Sequence, residues 1–169
     1  MTDQLVVGDR VLLDVSFPRA RVRLEILARD GLLQWASEVA YGESITGLVE
    51  KAGPAAGLTR MADARLEDVA GTGDNAHVPV QWTAIAADGA LFTALDADLM
   101  LASAGEAITV LALAGAYRPQ PGPAGAGLDR AIVRECAVAA IASFLGRVAC
   151  ALTHPAGLAG CNPPSRPRG

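Results

Sequence analysis

Aromatic side chains are scarce in this chain of 169 residues, at 4% against 51% hydrophobic residues overall. A core drawn from it must be mostly alanine, leucine and valine, with many small side chains in close contact. Positive charge is also short. Lys and Arg number 14 against 18 Asp and Glu, a net charge of −4, which argues against the basic surface of a nucleic-acid binder. No basic, then apolar, then small-residue leader opens the chain, so a cytoplasmic location is expected. The longest charge-free run of the most apolar segment, Cys136–Gly146, falls short of the ~20 apolar residues of a bilayer span. The chain is therefore expected not to span a membrane. Cysteine is limited to Cys136, Cys150 and Cys161. They lack metal-ligand spacing and are expected to be reduced thiols, the first two buried in a helix. The histidines, His77 and His154, have no Ser or Cys in a nucleophile context near them, so no catalytic triad is assigned. The glycine-rich pieces GTGDN (71–75) and GPAGAG (122–127) lack the Lys-Ser/Thr and the βαβ context of a phosphate loop. No catalytic residue, metal or cofactor is assigned.

What is present is a strong helical signal at Leu128–Thr153. At 3.6 residues per turn, Val133, Ala137, Ala140, Ile141, Phe144, Val148, Ala151 and Leu152 share one broad face. Ala131, Val138, Ala139, Ala142 and Ala149 on the back are apolar too, so the helix asks for cover on more than one side. Asp129 suits the N-terminal end of the helix dipole, and Pro155 stops the helix.

The segments before it alternate with a period of two. Asp9–Phe17 reads as a half-buried strand. Pro18 opens a helix that runs to Asp30, and Gly31 interrupts. A second helix over Leu32, Leu33, Ala36, Val39 and Ala40 is expected to end at Tyr41-Gly42, with Gly42 as its cap. Ile45–Lys51 adds a turn or two. Then follow a weak strand, Leu58–Val69, and two clearer ones, Val78–Ala87 and Phe92–Ala102, joined at the hairpin signal Asp88-Gly89. Ala107–Tyr117 is apolar on both faces and therefore central or covered. Residues 118–127 cross to the long helix. The Pro- and Gly-rich tail 155–169 is expected to be disordered, leaving 1–154 as a single domain.

One strand, a helical pair, a four-stranded meander and a closing helix imply an α+β domain with the helix across a curved antiparallel sheet. This order resembles the helix-grip superfamily: START-like, pollen-allergen-like and polyketide-cyclase-like proteins, pooled as SRPBCC. The stretches VPVQW (78–82), LDADL (95–99), LAGAYRP (113–119) and GLDRA (127–131) resemble an actinobacterial branch of that group. The resemblance implies a cavity between sheet and long helix. Its floor would draw on Trp82, Leu95, Leu99, Leu111, Leu113 and Tyr117, its roof on Ala137, Ile141, Phe144 and Val148. Arg147, at the edge of the apolar helix face beside Ser143, is the natural anchor for a carboxylate or phenolate. Its plainer role is an arginine that lays its stem over the sheet and keeps its head in water. Asp96 and Asp98 fall opposite the leucines of their strand, on a solvated outer face.

Three readings follow. The first is a module that holds a small hydrophobic or amphipathic molecule. Burying ~300 Å² of apolar ligand at ~25 cal/mol per Å² contributes ~7 kcal/mol before association costs. The second is a cyclase- or aromatase-like enzyme with Arg147, Ser143, Gln81 and Tyr117 pointing into the cavity. The third is a homodimeric assembly protein, using the strand Ala107–Tyr117 and the back of the long helix.

Overall fold

A computed structural model describes residues 5–52, 58–86, 91–119 and 130–154. The elements are β1 (Leu5–Leu13), α1 (Phe17–Arg29), α2 (Leu32–Ala52), β2 (Leu58–Leu66), β3 (Asn75–Ala86), β4 (Leu91–Ser103), β5 (Thr109–Pro119) and α3 (Arg130–Thr153). The strands form one antiparallel sheet in the order β1-β5-β4-β3-β2. β2 to β5 are a meander, and β1 closes against the last of them. α3 packs on β1 and β5, while α2 lies between α3 and β2. This is the α+β helix-grip arrangement.

The period-two pattern sorts side chains between the faces. Val78, Val80 and Trp82 of β3, Leu95, Ala97, Leu99 and Leu101 of β4, and Leu111 and Leu113 of β5 are buried on the inner face. They meet across the strands as Trp82 with Leu95, Val78 with Leu99 and Leu99 with Leu113. The roof is the expected helical stripe. Ala137, Ala140, Ile141, Phe144, Val148, Ala151 and Leu152 are all buried, and Cys136 and Leu145 join them. Each buried large aliphatic or aromatic side chain stabilises the fold by ~1.5–3 kcal/mol. The end of α3 is fixed by Arg23 of α1, which donates to the Leu152 carbonyl, a cation where the helix dipole is negative. Thr109, buried at the start of β5, donates to the Val15 carbonyl at 2.7 Å and ties the sheet to the turn before α1. Gly115 lets β5 pass tightly over β4: a Cβ there would lie 2.3 Å from the Asp96 carbonyl oxygen and 2.5 Å from the Ala97 Cβ.

Several boundaries differ from those read in the sequence. β1 spans Leu5–Leu13, not Asp9–Phe17, because its pairing with β5 begins at Leu5 opposite Tyr117 and ends at Leu13 opposite Thr109. Phe17 instead opens α1, with Pro18 in its first turn, and Val15 and Phe17 still reach the core. α2 runs straight through Gly42 to Ala52. Gly42 is not among the glycines of positive φ, so it is an interior helix residue and not a cap. A single helical glycine costs ~1 kcal/mol, which the packing of α2 against α3 and β2 outweighs. β2 ends at Leu66 and carries a bulge between Leu58 and Ala62, which blurred its pattern. The hairpin Asp88-Gly89 and the tail 155–169 lie outside the described residues, as do residues 120–127 of the crossing to α3.

Of two expectations drawn from scarcity, the one against a membrane span is not overturned and the one of reduced cysteines is, at Cys150. The stretch Arg134–Thr153 meets the length and composition of a membrane-crossing helix when one or two charges are allowed, and 50% of it is buried inside the fold. A core helix apolar nearly all round passes that test for the same reason. The cysteines are not all reduced: Cys136 is a buried thiol, but Cys150 is disulfide-bonded. The two stand 14 positions apart on α3, ~21 Å at 1.5 Å per residue, so they do not bridge each other.

Candidate functional site

The helix α2 places Ser37 and Tyr41 one turn apart on its buried side, beside Leu33, Ala36 and Ala40. That side faces Trp82 in the inner row of β3. The Tyr41 and Trp82 rings stack, with centroids 5.0 Å apart and planes at 18°. Phe144 of α3 meets the other part of the indole edge-on, at 5.8 Å and 73°. Such pairs add ~0.5–1.5 kcal/mol beyond the area they bury. Trp82 Nε1 donates to Ser37 Oγ, which satisfies the one polar atom that burying an indole leaves behind. Three of the few aromatics thus join the sheet, α2 and α3 at one point.

Within three residues of Tyr41 and Phe144 along their helices the chemistry turns polar, at Glu43, Ser143 and Arg147. Glu43 of α2 accepts from Arg147 Nη2 at 2.7 Å and from Ser143 Oγ at 3.2 Å. The arginine is the inner partner: its side chain is 11% exposed, against 53% for Glu43. Its Nε is buried with no hydrogen-bond partner. A buried guanidinium N–H without an acceptor is uncommon and asks for an explanation. The seam between α2 and α3 therefore carries a half-exposed carboxylate and, one turn of α3 from Phe144, a guanidinium with one buried donor unused.

The residues expected to line the cavity come together. Trp82, Leu95, Leu99, Leu113, Ala137, Ile141, Phe144 and Val148 are all buried and belong to one core. The Tyr117 side chain lies outside the described residues; its backbone pairs with Leu5 and Leu95. Arg147 neither reaches over the sheet nor keeps its head in water, because Glu43 draws it to the helix seam. Gln81 is on the wrong face for a polar cavity group: it is exposed on the outer side of the sheet, donating to Asp96 at 3.1 Å. His77 and His154 are exposed and far apart in the chain, and His154 Nδ1 sits 3.1 Å from the Cys150 carbonyl at the end of α3. Among the described residues no group of three or more His, Cys, Asp or Glu is placed to hold a metal.

The sequence reading missed Ser37, Tyr41 and Glu43. Ser37 and Tyr41, four apart beside Leu33 and Ala40, carried a usable helical signal. Glu43 is hidden in the sequence because Gly42 reads as the end of its helix.

No protein-family model matches the chain, and no curated protein sequence matches it. Solved structures are similar in fold at low identity. A conserved protein from Geobacillus kaustophilus is 13% identical with a TM-score of 0.47, over 88% of this chain and 95% of that one. The Zhui aromatase/cyclase from a Streptomyces species is 10% identical with a TM-score of 0.35, over 91% and 98%. Norcoclaurine synthase from Thalictrum flavum is 12% identical with a TM-score of 0.37, over 88% and 96%. These likenesses concern the path of the chain alone.

Proposed function

We propose that this helix-grip domain binds a small amphipathic molecule with an anionic or oxygen-rich end, held between sheet and α3 and entering at the α2–α3 seam. The observation that carries this reading is the buried Arg147 Nε with no acceptor, next to the Tyr41–Trp82–Phe144 cluster. The apolar part of the ligand would part α2 from α3 and lie on those rings. Its anion would take the guanidinium from Glu43, which is half exposed and loses little by turning to water. A charge-assisted hydrogen bond of this kind contributes ~1.5–3 kcal/mol, enough to select an acid over its neutral analogue.

The enzyme reading loses Gln81, which faces away from the core; of its other candidates, Ser143 and Arg147 are both engaged by Glu43, and the Tyr117 side chain lies outside the described residues. The binding reading is tested by native mass spectrometry of protein purified from its native host, followed by denaturing extraction. A discrete bound acid or phenol is the expected result; an apoprotein mass that stays unchanged after incubation with a panel of aromatic and fatty acids would reject it.

A further inference from the structure

We infer that the outer face of the sheet docks a second copy of this chain, with β1 of each copy lying over β4 of the other. The inference is independent of the ligand reading. In the middle of this face the described outward side chains of β5 are small or short: Val110, Ala112, Ala114 and Ala116. Its neighbours carry large apolar groups in water, with Val6 76%, Leu12 69% and Met100 37% exposed. A flat centre flanked by exposed apolar side chains is a contact surface without a partner.

The charges say which partner fits. Arg10 of β1 is opposite Ala112, Ala112 is opposite Met100, and Asp98 stands two residues from Met100 on β4. Two strands and two residues separate Arg10 from Asp98, ~12 Å from the strand spacing and rise, too far for a pair within one copy. None of the ion pairs among the described residues includes either. A half-turn about an axis along β5 brings Arg10 of one copy over β4 of the other, beside that copy's Asp98. Glu67, Asp96 and Asp98 line an open depression of ~600 Å³ there together with Arg65, Pro79 and Ala114, a recess with three carboxylates to one guanidinium on the path of the incoming Arg10. The operation is its own inverse, so two identical pairs form, as an isologous dimer requires. The face carries its own complement in charge, and the alanines of β5 let the two sheets approach to the ~10 Å of stacked sheets.

The test is sedimentation velocity of the full chain from about 1 to 100 µM, with thermal melts as the check on folding. The wild type is expected to dimerise within this range. Arg10→Glu and Asp98→Arg should each weaken the dimer ~10-fold or more, and the double swap should recover most of the loss. Leu12→Asp, which leaves both charges in place, should also weaken it. A monomer throughout overturns the inference, as does a dimer indifferent to Arg10→Glu or Leu12→Asp. A double swap no tighter than its single parents overturns it too.

Discussion

The two faces of β3 and β4 are made by the same residues in alternation, yet they do opposite things. Inward, Trp82, Leu95 and Leu99 are at most 1% exposed, and Trp82 is fastened to α2 and α3 through Tyr41, Ser37 and Phe144. Outward, one position along, Gln81 and Asp96 share a hydrogen bond at the surface, and Asp98 stands in water. A slip of one residue would exchange the two sets, so the burial of the inner row is what holds the register. The inner face carries the stability, and the outer face is left free to vary in charge and to meet other molecules.

Substitutions sharpen that contrast in order of size. Trp82→Ala removes the ring that both Tyr41 and Phe144 pack on and leaves Ser37 without its donor. It should cost ~3–5 kcal/mol and lower the melting temperature by the largest margin of any substitution considered. Gln81→Ala, its immediate neighbour on the other face, should change stability by less than ~0.5 kcal/mol. An equal loss at both positions, measured by chemical denaturation, would break the assignment of faces.

Gly115 and Gly42 give a second pair. Gly115→Ala drives a methyl into the backbone of β4 and should cost ~1–3 kcal/mol. At Gly42 an added Cβ meets nothing within 4 Å, and the residue is helical. Gly42→Ala should therefore stabilise the protein by ~0.5–1 kcal/mol. Destabilisation at Gly42 would mean that the helix does end there after all.

Smaller effects are expected at the seam. Glu43→Gln weakens an ion pair whose acid is half exposed and should shift unfolding by at most ~1 kcal/mol. Its larger effect should be on binding.

How legible these features were depends on how local their signals are. The strands β3, β4 and β5 and the face of α3 follow from periodicity, because each repeats a pattern over many residues: Leu95, Ala97, Leu99 and Leu101 give four consecutive inward positions. Single-residue punctuation was less dependable. Gly42 looks like a cap in isolation, and only the packing of α2 on α3 and β2 carries the helix past it. β1 was displaced because Val15 and Phe17 continue its alternation, although the pairing with β5 stops at Leu13. Among the site residues, Arg147 was visible as a cation at the edge of an apolar stripe. Its partner, 104 positions away, was not, since no local rule pairs α2 with α3.

The account's central claim is that Arg147 is a donor kept for an incoming acid, with Glu43 holding its place. The most direct measurement is a fluorescence titration of anilinonaphthalene sulfonate, an amphipathic anion, against the wild type, Arg147→Met and Glu43→Gln. The account predicts opposite shifts: affinity falls ~10-fold or more in Arg147→Met, where the charge-assisted bond is lost, and rises in Glu43→Gln, where the competing carboxylate is gone. Equal affinities in all three proteins would contradict it and return the Glu43–Arg147 pair to a purely structural role.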